Sequence, residues 1–251
     1  MNRRRVLITG AAGRIGRALV DGLHERYRLR ALYNRTVLEQ RHDEECMVGS
    51  VSDLASMEAA AEAMDAVIHL AGDPSPRSPF DKILQPNIIG AYNTLEACRR
   101  RGVKRLVFAS TNRVTGMYEK QTPRPPLISW DVPVRPDSQY AASKAYGEAL
   151  SRYYTDTFGL SVLCLRIGTF RSLSDMRKLT DERVLSTWLS PDDAVQLAWR
   201  CIEAPAHVRF AIYYGISGNT RAFWDIRNAR DEIGYEPKDD AEDYAGLHAG
   251  R

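Results

Sequence analysis

Apolar and polar positions follow two rhythms in turn along the chain. Short β-branched or apolar runs at residues 6–9, 29–33, 46–48, 66–70, 105–110 and 162–167 predict strands. Between them, stretches with helical spacing of apolar residues predict helices over 15–25, 54–63, 83–101 and 140–158. The third helix ends in Arg99, Arg100 and Arg101 before Gly102, a cationic last turn ahead of a C-cap glycine and not a binding patch. Residues 111–137 carry Pro123, Pro125, Pro126, Pro133 and Pro136, which excludes a helix or a central strand. Residues 168–186 read as a second irregular stretch, after which Ser190 caps a helix with Pro191 at its first position. Strands alternating with helices make an α/β fold, a Rossmann-type doubly wound parallel sheet. Residues 1–168 form its dinucleotide-binding core, and residues 169–251 a small substrate-binding part interleaved with that core.

At the first strand-to-helix junction the chain reads Thr9-Gly10-Ala11-Ala12-Gly13-Arg14-Ile15-Gly16. Gly10 permits a tight turn, Gly13 lets backbone approach a pyrophosphate, and Gly16 lets the helix pack closely on the strand. The helix N–H groups are then aimed at the anion. An acidic residue after the second strand ordinarily binds the adenosine ribose, but Tyr33-Asn34-Arg35 stands there. Without a carboxylate, and with a guanidinium able to meet a 2′-phosphate, NADP or dual use is favoured over NAD alone.

Tyr140 and Lys144 lie one turn apart on one helix face. A nearby ammonium stabilises a phenolate, so this pair predicts a tyrosine able to take a proton at neutral pH, its pKa lowered by Lys144. Ser110-Thr111-Asn112-Arg113 follows the fifth strand, at the carboxyl edge where ligands of doubly wound sheets bind. A hydroxyl there can bond the substrate oxygen on which Tyr140 acts.

Composition narrows the partners. The 251 residues carry 35 Lys plus Arg against 32 Asp plus Glu, a net charge of +3, without the basic footprint of a nucleic-acid binder. No apolar run approaches the ~18 residues that span a bilayer, and the start has no apolar signal segment, so a cytoplasmic protein without membrane contact is expected. Cys46, Cys98, Cys164 and Cys201 read as reduced packing residues. His24, His42, His69, His207 and His248 are scattered without acidic partners, so no metal site is expected.

Taken together, the glycine turn, His69-Leu70-Ala71-Gly72, Asn87, Ser110-Thr111 and the Tyr140 to Lys144 segment resemble an extended short-chain dehydrogenase/reductase, of the NAD-dependent epimerase/dehydratase superfamily. A finer resemblance to uronate dehydrogenases and a related archaeal sugar-phosphate dehydrogenase rests on Asn87 to Gly90, Phe108 to Asn112, Arg166 to Thr169, Leu185 to Trp188 and Gly234 to Lys238. It implies oxidation of the C1 hydroxyl of a cyclic hexuronate to its lactone, with Thr111 positioning that hydroxyl, Tyr140 taking its proton and Lys144 holding the nicotinamide ribose. It implies cofactor contacts from Gly10, Gly13, Arg14, Ile15 and Gly16 at the phosphates and from Asn34, Arg35, Ser50 and Val51 at the adenosine. Further along, Leu70, Ala71, Gly72, Asn87, Ser110 and Ile167 join Tyr140 and Lys144. Ser75, Thr111, Asn112, Arg113, Thr169 and Arg183 match substrate positions, with Arg183 gripping the carboxylate in a bidentate pair.

Four features depart from that pattern: Asn34 and Ser50 replace acidic residues, Arg113 replaces a histidine, and the stretch from Thr169 to Arg183 is longer. Arg113 is either a second cation for a phosphate or carboxylate, or an outward-pointing loop residue. The alternatives to a uronate dehydrogenase are a hexose-6-phosphate 1-dehydrogenase and a nucleotide-sugar epimerase or dehydratase. A dinucleotide-binding sensor would have no need of the hydroxyl, tyrosine and lysine set. The resemblance also implies a homodimer or larger homo-oligomer through the helices 83–101 and 140–158.

Overall fold

The computed structural model describes residues 3–34, 40–121, 123, 125–176 and 181–244. Six of its strands match the apolar runs: β1 Arg5–Thr9, β2 Arg28–Tyr33, β3 Glu45–Val48, β4 Ala66–His69, β5 Arg105–Thr111 and β6 Ser161–Ile167. Two-residue strands β7 Thr169–Phe170 and β8 Trp188–Leu189 pair with each other, and β9 Phe210–Gly215 follows. The main sheet is wholly parallel in the order β3-β2-β1-β4-β5-β6-β9. From β1 the chain winds outward to β3 and then returns to β4 on the other side of β1, with Thr9 in register with both Leu32 and His69. This reversal opens a crevice beyond the carboxyl ends of β1 and β4.

The helices are α1 Arg14–Leu23, α2 Leu54–Ala61, α3 Phe80–Ile83, α4 Gly90–Arg100, α5 Gln139–Phe158, α6 Leu173–Met176, α7 Glu182–Thr187, α8 Pro191–Ile202 and α9 Arg227–Ile233. Alternation along β1 divides the core between the two sheet faces. Val6 and Ile8 join Leu19, Leu23, Leu197 and Cys201 of α1 and α8, whereas Leu7 joins Met57, Leu95, Cys98 and Tyr154 of α2, α4 and α5. Ser190 Oγ accepts from Asp193 N at 3.1 Å, with Pro191 opening α8. Gly102 takes a φ of +67° after α4. Arg99 and Arg100 bond Glu96, and Arg101 bonds Glu58 and Glu62, so the basic run is neutralised at the helix end.

Several expectations need correction. Strand β9, unrecognised in the sequence, completes the sheet beside β6, so residues beyond 168 contribute to the central layer. The expected helix over 83–101 starts earlier, at Phe80, and widens into a π-helical turn over Leu84–Ile89. Pro86 lies in that turn, and its missing N–H and ring disfavour regular α geometry. The irregular stretch after β5 opens with a 3₁₀ helix, Asn112–Tyr118, because its prolines begin only at Pro123. The second irregular stretch holds β7, α6 and α7. His42 does have an acidic partner: its Nε2 lies 3.1 Å from Asp21 Oδ1, and its ring stacks on His24 at 3.7 Å.

Cys98, Cys164 and Cys201 are buried thiols whose pKa values burial pushes up. Among the described residues, no helix is long and apolar enough to cross a membrane.

Candidate active site

A cavity of about 990 Å³ runs along the carboxyl edge of the sheet, from the glycine turn to the loops after β5 and β6. Gly10 turns the chain at φ +70°. A Cβ at Gly16 would stand 2.4 Å from Gly10 O, so a side chain there would force α1 away from the turn. Gly13 caps α1 without any side-chain acceptor. The first-turn N–H groups therefore remain available to an anion, and Gly10, Gly13, Arg14, Ile15 and Gly16 all line the cavity. A dinucleotide pyrophosphate fits this cradle. At the adenosine end Leu32, Asn34, Gly49, Ser50, Val51 and Ser52 line the wall, with no carboxylate among them. Arg35 lies outside the described residues.

Leu70, Ala71 and Gly72 form the floor beyond β4. Thr9 Oγ1 accepts from Ala71 N at 3.2 Å and lies 2.9 Å from His69 Nδ1, which fixes this segment to β1. Asn87 stands behind the wall: its Oδ1 accepts from Asp73 N at 2.7 Å, and its Nδ2 donates to Asp73 O and Ser143 Oγ. It thus ties the loop after β4 to α5. Ser75 belongs to the same loop, where Pro74 and Pro76 line the cavity, and its Oγ accepts from Arg77 N.

Helix α5 starts at Ser138, whose Oγ accepts from Ala141 N, and presents Tyr140 and Lys144 to the cavity as buried side chains. Opposite them, β5 delivers Ser110 and Thr111. The two hydroxyls differ in freedom. Ser110 Oγ donates to Glu148 Oε1 at 2.5 Å, whereas Thr111 Oγ1 accepts from Arg113 N at 3.3 Å and turns its hydroxyl towards the Tyr140 phenol. Glu148 in turn pairs with Arg166 at 2.8 Å, both buried.

The electrostatics correct one expectation. Burial raises the Tyr140 pKa, opposed by the adjacent Thr111 hydroxyl and then by Arg113, while Asp73 adds to the rise. The lowering cation is thus Arg113 and not Lys144. Lys144 is itself brought down to about 8 by burial, its Nζ lying 5.1 Å above the Phe108 ring. Arg113 lines the cavity and is not an outward loop residue, and its Nη1 donates to Asp137 Oδ2 at 2.6 Å.

At the far end Asn112, Ile167, Thr169 and Arg183 line the cavity. Asn112 Nδ2 is buried without a hydrogen-bond partner, as expected of a donor reserved for a ligand. Thr169 Oγ1 lies 2.7 Å from Thr187 Oγ1. Arg183 holds Glu119 in a fork, Nε to Oε2 at 2.7 Å and Nη2 to Oε1 at 3.1 Å. Sequence reasoning missed Glu148, Glu119, Asp137 and Arg171, which also lines the cavity. Only Glu148 left a trace, because Arg166 in a buried strand requires an acidic partner.

Comparison with known proteins gives the family and its relatives. The NAD dependent epimerase/dehydratase family matches residues 6–192. A uronate dehydrogenase of Pseudomonas putida is 39% identical over 96% of this chain and 86% of its own. An NAD-dependent glucose-6-phosphate dehydrogenase of Haloferax volcanii is 36% identical over 95% of each chain. A mutant of the Agrobacterium tumefaciens uronate dehydrogenase, crystallised with NAD, superposes with a TM-score of 0.86 at 36% identity, covering 96% of this chain and 87% of that one.

Proposed function

Because the chain belongs to the NAD dependent epimerase/dehydratase family, we propose that it is an NAD(P)-dependent dehydrogenase oxidising the C1 hydroxyl of a cyclic hexuronate to its lactone. The observation that carries this reading is the convergence of Thr111, Tyr140 and Lys144 on a cavity whose other end is an uncapped helix start behind a glycine turn. Thr111 holds the C1 oxygen, and Tyr140 accepts the hydroxyl proton at its phenolate oxygen. Lys144 binds the nicotinamide ribose, and the bound dinucleotide supplies the hydride acceptor. Asn112 donates its free Nδ2 hydrogens to the sugar. Arg183 takes the carboxylate on the Nη1 edge that Glu119 leaves open. Ser75 and Thr169 border the sugar, and Arg113 adds positive charge beside Tyr140.

Among the described residues, no carboxylate lines the cavity beside Asn34 and Ser50, which supports use of NADP as well as NAD. Exposed Phe80, Tyr92, Tyr146, Tyr153 and Phe158 on α3, α4 and α5 support a homodimer through those helices.

The test is the initial rate of NAD+ and NADP+ reduction by the purified protein with glucuronate, galacturonate and glucose 6-phosphate. Reduction with either uronate is expected. Activity confined to glucose 6-phosphate would replace the carboxylate by a phosphate, and no reduction with any of the three would remove the dehydrogenase reading.

A further inference from the structure

Among the described residues, four arginines line the cavity: Arg14, Arg113, Arg171 and Arg183. Three already hold carboxylates: Arg14 bonds Asp175 at 2.5 Å, Arg113 bonds Asp137 at 2.6 Å, and Arg183 grips both oxygens of Glu119. Arg171 holds none among the described residues, and its Nε is buried with no hydrogen-bond partner. That buried N–H edge has no partner within the packed fold, as expected of a donor reserved for a ligand. Lys82, also at the cavity wall, is exposed.

The backbone around Arg171 is anchored. Its N–H donates to Leu189 O, extending the β7 and β8 pairing, and its carbonyl accepts from the indole of the fully buried Trp188 at 3.0 Å. The residue follows Thr169 by two positions along extended chain, a spacing that places both side chains on one side. Beyond it, α6 carries Asp175 to Arg14 at the glycine turn. Arg171 therefore stands on a fixed segment running from the sugar end of the cavity to its phosphate end.

We propose that Arg171 is an oxyanion-binding residue of this cavity, its guanidinium receiving the paired oxygens of a carboxylate or phosphate carried by a bound ligand. Two ligands of the dehydrogenase reading, on which this inference rests, present that chemistry: the acidic sugar and the dinucleotide pyrophosphate. In the first case Arg171 shares the anion with the open edge of Arg183, and in the second it closes over the phosphates from the side opposite α1.

Calorimetric titration of the intact protein separates the two. NADH is titrated first, and galacturonate and glucose 6-phosphate are then titrated into the NADH-loaded protein, for wild type, Arg171→Gln and Arg171→Lys. An increase of about tenfold or more in the Kd of an acidic sugar, with the NADH Kd unchanged, assigns Arg171 to the sugar anion. A comparable increase in the NADH Kd assigns it to the pyrophosphate. In both cases Arg171→Lys recovers part of the loss and, being conservative, guards against a glutamine variant that fails to fold. Overturning results are an NADH Kd within twofold of wild type together with sugar binding that is equally unchanged, or equally absent from wild type and variants. Because these are binding measurements, a wild type that binds but never reduces cofactor would fail the dehydrogenase reading without deciding the role of Arg171.

Discussion

Tyr140 is buried, and burial alone pushes its phenol away from the ionised form that can take a proton. Arg113 works against this, so replacing it with glutamine should raise the Tyr140 pKa. If Tyr140 is the base, as proposed, activity rises as the phenol ionises, and the acid limb of the pH profile of kcat should move to higher pH in Arg113→Gln. A limb that stays in place would show that Asp137 already neutralises Arg113. Local signals made part of this site legible: an i,i+4 tyrosine and lysine, glycines at a strand-to-helix junction, and hydroxyls at a strand end. The ion pairs that set its charge were not legible. Arg113 with Asp137 and Arg183 with Glu119 join distant parts of the chain, and no spacing rule brings such residues together.

The elements around the cavity are joined by one buried pair. Glu148 on α5 binds Arg166 on β6 and Ser110 on β5, and Arg166 also donates to Trp130 O in the proline-rich loop. Glu148→Gln leaves a buried guanidinium uncompensated, with an expected stability loss of about 3–5 kcal/mol. Urea unfolding checks this, and a loss below about 1 kcal/mol would mean that water or another group takes over the Arg166 charge. Kcat should fall as well, because Thr111 follows Ser110 directly. At this scale periodicity located six central strands and the long helices, since buried parallel strands and amphipathic helices differ plainly in apolar spacing. It lost β9, where Phe210-Ala211-Ile212-Tyr213-Tyr214 carries no clean alternation, and it ran a regular helix through Pro86, where the fold widens a turn.

At the scale of the whole molecule, His69 makes stability depend on pH: it is buried between the sheet and α4 with Thr9 and Thr94 on its Nδ1. Burial, aided by Lys144, lowers its pKa from 6.5 to about 3. The unfolded chain then binds the proton first, so the stability contributed by neutral His69 is complete above about pH 6.5 and is lost as pH falls towards 3, by up to ~1.4 kcal/mol per unit. The Tm should drop between pH 7 and pH 5 in wild type and less steeply in His69→Asn; equal slopes would place the acid-sensitive group elsewhere. In the proposed reaction, the arrangement from the dinucleotide cradle to the sugar end converges on proton removal by Tyr140. The most direct measurement is therefore Tyr140→Phe, assayed for hexuronate-dependent cofactor reduction and, separately, for NADH affinity. A loss of kcat of about 10²–10⁴-fold with NADH affinity unchanged is the predicted result, and turnover within a few-fold of wild type would contradict it.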